Sequence, residues 1–416
     1  MPKSSSDTWA IASQKSDAPI QSITGWSFSK GSPLPGLLLV QIQDSDGVTG
    51  VGETFYVPTA CWEAIEHLFA PRLLGQRPTE LGNFYSQMLA ALRRLVGIGA
   101  EYRALSALDV ALWDLVAKRN NTPLRQVLNP GAQNEIDIYN SCAGPLYASV
   151  GVTPGEGIAD EADPRDDYGA WKRDAGALAQ ELVGDGFQAM KLWPFDDLAK
   201  KFQGGMPDPA ELAEACKPLR GIRQAVGSHI DIMIDGHGLW NMEAATMVAQ
   251  YCEQFELRWI EDLILAHPFS NLKKLKDLTR TPILASEYIA TEVEFRELLD
   301  LNAVDVVMVD PTWAGGITNG LAVADLAETY SKSVSFHDCT GPATLLAGAA
   351  MASAIPNHEI QELARSFVLY VYPQIAECDV ELSDGKLKLG SSPGLGLILR
   401  PDLSSLPGVT KHTIRA

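Results

Sequence analysis

The 416-residue chain lacks the features that mark several large classes of protein. It contains no run of 18 apolar residues, and its first 20 residues have no apolar core of the kind found in secretory signals. Its six cysteines lie far apart and form no CxxC pair, which excludes a zinc ribbon and a disulfide framework. We therefore expect no membrane partner and a cytoplasmic location, where thiols stay reduced.

Positive charge is also scarce, because 33 lysines and arginines face 52 aspartates and glutamates and leave a net charge of -19. Basic residues form no cluster along the chain. Nucleic acids and anionic membranes bind proteins through such clusters, so neither is an expected partner. A small anionic substrate would instead need positive charge at one particular place.

The length and the apolar content indicate a large folded protein. Hydrophobic residues make up 46% of the chain, so burial can offset the entropy of ordering over most of its length. Only the polar, serine-rich residues 1–16 are predicted to form a disordered tail. A length of 416 residues suits a barrel of about 250 residues and a second, smaller domain.

The first part of the folded chain has the pattern of an α+β unit. Two β-rich runs between Gly36 and Thr54 flank the turn signal Asp46-Gly47, which predicts a hairpin. Apolar residues at helical spacing follow from Ala104 to Lys118. We predict an α+β capping domain over residues 17–134.

From residue 135 onward, short apolar runs of β type alternate with helical stretches, which predicts parallel strands joined by crossover helices. Polar residues at the ends of these runs recur at gaps of 26, 26, 23, 27 and 25: Asp235, Glu261, Glu287, Asp310, His337 and Glu362. We predict a (β/α)8-type TIM barrel over residues 135–371, with residues 372–416 returning to the cap. The active site of such a barrel lies at the C-terminal ends of the strands, so these residues would share one rim.

Two stretches after barrel strands, residues 151–168 and 196–209, are predicted to be irregular, charged insertions. Insertions at these positions lie on the catalytic face of a barrel.

Three of the rim residues are carboxylates on consecutive strands: Asp235, Glu261 and Glu287. Their charges would repel one another unless a divalent cation lay between them. Hard oxygen ligands favour Mg²⁺, with Mn²⁺ as an alternative, over zinc. The competing interpretation is that each acid only caps the helix that follows its strand.

The motifs of the barrel resemble those of a known family. The segments are KLW at Lys191, IDGHG at Asp235, WIED at Glu261, ASE at Glu287, VDPTWAGGIT at Asp310, FHD at His337 and IQE at Glu362. Together they resemble the mandelate racemase subgroup of the enolase superfamily, and GVGET at Glu53 extends the resemblance into the cap. The resemblance implies an enolase-type (β/α)7β barrel, one Mg²⁺ held by the three carboxylates, and a homo-oligomer, either a dimer or an octamer.

The resemblance also assigns roles in abstracting a proton next to a carboxylate. His337 would be the general base, held in the right tautomer by Asp310. Lys191 would bind the substrate carboxylate, and a protonated Glu362 would donate a hydrogen bond to the developing oxyanion. Glu359 is the alternative to Glu362 in this role.

Two departures from the racemase pattern bear on the reaction. Racemases of this subgroup read KxK at the second strand, and here Trp193 takes the place of the second lysine. His237, two residues after Asp235, resembles the acid that expels the leaving hydroxyl in galactonate-type dehydratases. We therefore predict a dehydratase that converts a sugar acid, an aldonate or aldarate, into a 2-keto-3-deoxy acid. The two histidines could exchange the roles of base and acid.

The pocket itself is less well defined by the sequence. Tyr56, Trp193 and Trp313 are candidate substrate-binding residues, although each is equally compatible with core packing. An epimerase, racemase or cycloisomerase on the same fold is an alternative if Lys191 acts as a second base. A non-catalytic barrel homologue is another alternative. A zinc hydrolase fits poorly, because only two histidines are predicted on the rim.

Overall fold

The computed structural model describes residues 18–78, 84–92, 98–147, 163 and 165–416. The predicted tail, residues 1–16, and most of the predicted insertion at 151–168 lie outside the described residues. Within the described residues, every helix is too short or too polar to cross a lipid bilayer.

The described strands are β1 (Ile20–Phe28), β2 (Leu38–Asp44), β3 (Thr49–Thr54), β4 (Glu135–Ser141), β5 (Ala189–Leu192), β6 (Asp231–Asp235), β7 (Trp259–Glu261), β8 (Ile283–Ala285), β9 (Val306–Val309), β10 (Ser333–Phe336), β11 (Gln361–Leu363), β12 (Ala376–Cys378), β13 (Val380–Ser383), β14 (Lys386–Leu389), β15 (Leu397–Leu399) and β16 (Val409–Arg415). The described α-helices are α1 (Pro58–Ala64), α2 (Ala70–Leu73), α3 (Phe84–Leu92), α4 (Ala100–Arg119), α5 (Leu124–Leu128), α6 (Asp167–Gly184), α7 (Asp196–Lys201), α8 (Pro209–Ala215), α9 (Lys217–Val226), α10 (Met242–Cys252), α11 (Phe269–Leu278), α12 (Glu292–Asp300), α13 (Gly316–Thr329) and α14 (Pro342–Ala354). Single π-helical turns cover Ile65–Phe69 and Phe367–Val371.

Strands β4 to β11 form a closed parallel barrel. Each strand from β4 to β9 pairs with the next, and β11 pairs back with β4. Backbone hydrogen bonds between Val334 of β10 and both Asn357 and Glu359 close the remaining gap. The eight strands lie where the alternating sequence pattern predicts them, and the TIM-barrel fold class is confirmed.

The inside of the barrel is filled by side chains that form a separate buried cluster: Tyr139, Ala189, Met233, Trp259, Leu284, Val306, Met308 and Ile360. Several of these residues stand two positions before a rim residue, as Met233 does before Asp235 and Trp259 before Glu261. Because side chains alternate between the two faces of a strand, the rim residues also point inward, one layer higher. The apolar cluster is therefore the floor of the site.

The cap is an antiparallel sheet with the strand order β16-β1-β2-β3, covered by α4. Two glycines of β3 allow the helix to approach closely. A Cβ at Gly50 would lie 2.0 Å from the Ala111 carbonyl oxygen, and one at Gly52 would lie 2.1 Å from the Ala107 carbonyl oxygen. No other residue fits these two positions without moving the helix.

The C-terminal segment makes two separate connections. The hairpin of β13 and β14 pairs with β4, with Leu387 opposite Ile136. The last strand, β16, pairs with β1 in the cap sheet, with Trp26 opposite Lys411. This segment therefore contacts both the barrel and the cap.

One prediction about the insertions is wrong. Residues 196–209 were expected to be irregular, but Asp196–Lys201 forms helix α7. Its first turn carries Asp196 and Asp197 and its last turn carries Lys200 and Lys201, which complements the helix dipole. The helix places Asp196 at the rim of the barrel.

Candidate active site

The structure brings the predicted rim residues together. Lys191 lies in β5, Asp235 and Glu261 end β6 and β7, and Glu362 lies in β11. Asp310 and His337 follow directly on strands β9 and β10, and Glu287 lies two residues after β8. All seven side chains are buried. A concentration of buried titratable groups at one end of a barrel is the usual sign of an active site.

Lys191 lies among three carboxylates. Its Nζ is 2.8 Å from Glu261 Oε2, 2.7 Å from Glu362 Oε1 and 3.7 Å from Asp235 Oδ2. Burial alone would lower the pKa of this ammonium, but Glu261 and Glu362 raise it well above its usual value. Lys191 therefore carries a permanent positive charge in a strongly acidic site.

Glu362 is the glutamate that reaches the site, and Glu359 is not. Besides its contact with Lys191, Glu362 accepts a hydrogen bond from the Asp338 backbone N at 3.3 Å. Glu359 pairs instead with Arg258 Nη2 at 2.8 Å. The two glutamates are three positions apart, and an odd offset sends them to opposite faces of the strand.

His337 and Asp310 form a dyad. His337 Nδ1 donates to Asp310 Oδ2 at 2.7 Å, and His337 Nε2 lies 2.6 Å from Glu287 Oε2. Asp310 also accepts from Thr312 N at 2.7 Å and from Thr340 Oγ1 at 3.1 Å, which fixes its orientation. Burial would lower the pKa of His337, but Glu287 and Asp310 raise it well above its usual value.

A second dyad is formed by His237 and Asp196. His237 Nδ1 donates to Asp196 Oδ2 at 2.8 Å, while His237 Nε2 lies 3.5 Å from Asp235 Oδ2. The backbone of His237 is left-handed, with φ 48°, and its N donates to Asp235 Oδ1 at 2.8 Å. Burial opposes protonation, but Asp235 and Asp196 together raise the pKa of His237 to about 10. The sequence contained no signal for Asp196 beyond its place shortly after a barrel strand.

The donor chemistry of the three strand-end carboxylates fits a hard divalent cation. Burial raises the pKa of Asp235 and that of Glu261, and repulsion from neighbouring acids adds to the rise, although Lys191 opposes it in part. Glu261 Oε1 is buried and accepts no hydrogen bond from any described residue. Among the described residues, no three His, Cys, Asp or Glu side chains converge in the geometry of a metal site. Instead, Glu261 pairs with Lys191 and Glu287 pairs with His337.

Aromatic rings lie beside both imidazoles. The centroid of Trp313 is 5.1 Å from that of His337, and Tyr56 of the cap lies 5.3 Å from Trp313. On the other side, the centroid of Trp193 lies 5.9 Å from that of His237. The three aromatic residues predicted from the sequence thus border the site.

Arg103 of the cap helix α4 also reaches the site, and the sequence pattern did not indicate it. Its guanidinium lies 4.2 Å from the ring centroid of Trp313 and 5.2 Å from that of Tyr56. Its Nη1 donates to the Phe55 carbonyl oxygen at 3.1 Å. A small cavity lined by Arg103, Trp313 and Glu287 connects the cap with the rim.

A parallel barrel with three strand-end carboxylates, a His–Asp dyad on the next two strands and an α+β cap defines an enolase-type protein. Residues 174–403 match the family described as enolase C-terminal domain-like, and residues 30–129 match the mandelate racemase and muconate lactonizing enzyme N-terminal domain. The chain therefore belongs to the enolase superfamily and to its mandelate racemase subgroup.

Individual relatives agree with this assignment. The chain is 26% identical to D-xylonate dehydratase of Haloferax volcanii, over 88% of this chain and 84% of that protein. It is 26% identical to L-talarate/galactarate dehydratase of Salmonella typhimurium, over 87% of this chain and 80% of that protein. An enolase protein from Sargasso Sea environmental sequencing superimposes with a TM-score of 0.83 at 30% identity, covering 96% of this chain and 99% of that structure.

Proposed function

We propose that the protein is a Mg²⁺-dependent dehydratase of a sugar acid. It would remove the proton next to the carboxylate, expel the 3-hydroxyl as water and release a 2-keto-3-deoxy acid. The observation that carries this proposal is the pair of His–Asp dyads on one rim, because elimination of water needs both a base and an acid. Two relatives at 26% identity are named as sugar acid dehydratases, which supports the same class of reaction.

His337 is the proposed base. Its Nδ1 is bound to Asp310, so Nε2 is the nitrogen that would accept the C2 proton of the substrate once the divalent cation, and not Nε2, is the partner of Glu287. Asp310 then stabilises the imidazolium that results. General base catalysis by a positioned side chain contributes about 10² to 10⁴ to a rate.

His237 is the proposed acid. Asp196 holds its Nδ1, so Nε2 would deliver the proton to the departing 3-hydroxyl. The carboxylate of Asp196 raises the pKa of His237 and so favours the protonated ring, which is the state an acid needs. The enol left by elimination would then tautomerise to the 2-keto acid.

Lys191 and Glu362 are proposed to bind the substrate carboxylate. Lys191 would meet the carboxylate with a positive charge, and Glu362, in the protonated form that the resemblance implies, would donate a hydrogen bond to the developing oxyanion. Asp235, Glu261 and Glu287 would hold the divalent cation, which supplies Lewis-acid stabilisation of the negative charge that develops on the substrate. Tyr56, Trp193 and Trp313 are proposed to exclude water and shape the pocket.

The geometry favours a dehydratase over a racemase or epimerase. Those reactions need a second base on the opposite face of the substrate. Trp193 occupies the position of the second lysine, and Lys191 is paired with two carboxylates that keep it protonated. A protonated lysine cannot accept a proton, so neither position of the KxK pattern supplies a second base.

The proposal is tested by incubating the purified protein with Mg²⁺ and a stereochemically complete set of aldonates, aldarates and uronates. Formation of 2-keto acids, detected as semicarbazones, is the expected result, and it should disappear with a chelator and in His337→Asn. The same mixtures in D₂O, followed by NMR, separate the alternatives. Exchange at C2 without dehydration would indicate an epimerase or cycloisomerase, and the absence of exchange would indicate a non-catalytic barrel.

A further inference from the structure

A continuous chain of hydrogen bonds connects the cap to the proposed base. Glu53 Oε1, in β3 of the cap, lies 2.8 Å from Thr344 Oγ1, and that hydroxyl lies 2.8 Å from Thr312 Oγ1. Thr312 Oγ1 lies 2.9 Å from Asp310 Oδ1, and Asp310 holds His337. All five side chains are buried. The three O···O contacts between Glu53 and Asp310 all have hydrogen-bond length.

If Glu53 and Asp310 are both ionised, this series of hydrogen bonds has fewer protons than contacts. Each contact needs one proton between its two oxygens. A threonine hydroxyl supplies one proton, so Thr312 and Thr344 supply two protons for three contacts. The third proton must come from one of the two carboxyl groups at the ends.

Asp310 is not the source of that proton. Its Oδ1 accepts from the backbone N of Thr312 at 2.7 Å and from that of Trp313 at 3.0 Å. Its Oδ2 accepts from His337 Nδ1 and from Thr340 Oγ1. Donors therefore reach both oxygens, and Asp310 is the acceptor in each of these contacts.

Glu53 has the surroundings of a neutral acid. Its Oε2 is buried and accepts no hydrogen bond from the described residues. Burial raises the pKa of Glu53 to about 7, although hydrogen bonds from Thr344 and from the Ala343 backbone oppose this shift in part. An ionised Glu53 would gain from its place at the start of α14, but a helix dipole offsets only a small part of the cost of burying an ion, so the neutral form is favoured.

We propose that Glu53 is a neutral carboxylic acid that donates to Thr344 and so completes a one-way hydrogen-bond relay, through Thr312, that positions Asp310 and His337. In this relay Glu53 donates to Thr344, Thr344 donates to Thr312, and Thr312 donates to Asp310. Glu53 is a positioning residue, because it acts on His337 through three other side chains. The cap strand that carries Glu53 thereby fixes the orientation of the base.

The position of the proton is observable in the wild-type protein without any substrate. Neutron diffraction from deuterium-exchanged crystals at mildly acidic pH should show a deuteron on Glu53 Oε1, directed at Thr344 Oγ1. It should also show one deuteron in each of the other two contacts, pointing toward Asp310. The proposal is overturned if Glu53 carries no deuteron. In that case both threonine deuterons would point toward Glu53, or one would point toward Glu53 and the other toward Asp310.

The kinetic test rests on the proposed function, whereas the diffraction test does not. In Glu53→Gln the amide oxygen must accept the hydrogen bond from the Thr344 backbone N–H. An amide oxygen carries no proton, so it cannot donate to Thr344 Oγ1 as a protonated Glu53 would. We expect kcat to fall about tenfold, the factor that one lost hydrogen bond is worth, with KM little changed. If Glu53 were ionised, it would accept hydrogen bonds from Thr344 N and from Thr344 Oγ1, and the glutamine oxygen could accept both. A wild-type kcat in Glu53→Gln would therefore contradict the relay.

Variants of Thr344 and Thr54 separate the relay from packing between cap and barrel. Thr344→Val should lose activity as Glu53→Gln does, and Thr344→Ser, which restores the hydroxyl, should recover it. Thr54 donates to the Thr312 carbonyl oxygen at 2.9 Å at the same junction but lies outside the relay. Thr54→Val should keep the wild-type kcat. A loss in Thr54→Val equal to that in Thr344→Val would mean that packing alone is responsible, and would overturn the proposal.

Discussion

His237 donates from Nδ1 to Asp196 Oδ2 at 2.8 Å, in the same way that His337 donates from Nδ1 to Asp310 Oδ2 at 2.7 Å. In each pair the carboxylate fixes the tautomer and leaves Nε2 toward the rim. The two imidazoles therefore differ less in their own chemistry than in which part of the substrate they would face. Because His237 is the proposed acid and His337 the proposed base, we expect substitutions of the two to affect different steps of the reaction.

Removing the charge of Asp196 should weaken the acid without abolishing the site. In Asp196→Asn the amide can still contact His237 Nδ1, but it no longer stabilises the protonated ring. We expect kcat to fall about 10- to 100-fold, the usual effect of losing the partner that orients a functional imidazole. Asp197→Asn is the matched control, because the exposed Asp197 of the same helix pairs with Lys172 at the surface. Equal kcat values for the two variants would contradict the assignment of Asp196.

Proton abstraction and loss of water should separate between the two histidines. His237→Gln should still exchange the C2 proton in D₂O while forming little 2-keto acid, because only the acid is missing. His337→Asn should lose both, because without abstraction no elimination follows. NMR of the recovered substrate measures exchange, and semicarbazone formation measures dehydration. If His237→Gln loses exchange and His337→Asn keeps it, the two residues have the opposite roles.

Binding of Mg²⁺ should stabilise the folded protein through Glu261. A ligand that binds only the folded state adds about 2.7 kcal/mol to the free energy of unfolding at a concentration of 100 Kd. We expect the melting temperature of the wild type to rise with Mg²⁺ and that of Glu261→Gln to rise much less. Glu359→Gln removes an acid from the outward face of the barrel and should respond as the wild type does. A full response in Glu261→Gln would argue against this carboxylate as a ligand.

Regular alternation made the barrel and much of its rim predictable from the sequence. Every second side chain of a strand points into the barrel, so Asp235 and Glu261 could be assigned to the inner face from the sequence alone. Asp196 and Arg103 could not, because their relation to the site depends on tertiary contacts. Asp196 meets His237 across 41 residues, and Arg103 arrives on a cap helix whose periodic pattern only indicates packing. The relay from Glu53 spans 291 residues to Thr344 and has no local signal at all.

The junction between cap and barrel should respond to pH through Asp109. Asp109 Oδ1 accepts from Thr318 Oγ1 at 2.6 Å and Oδ2 accepts from Thr318 N at 3.0 Å, which ties α4 to α13. Burial raises the pKa of Asp109 from 3.8 to about 7, so the folded state holds this proton more tightly than the unfolded state does. Its contribution to stability is therefore complete below pH 3.8 and is lost as the pH rises to about 7.

Asp109→Asn is neutral at every pH and should not show this loss. We expect the free energy of unfolding of the variant, relative to the wild type, to increase by about 3 to 4 kcal/mol between pH 4 and pH 7. Urea unfolding across that range measures the difference. Asp277→Asn, an identical change at an exposed surface position, is the control and should follow the wild type. A difference between Asp109→Asn and the wild type that stays constant with pH would show that the wild-type Asp109 does not take up a proton on folding.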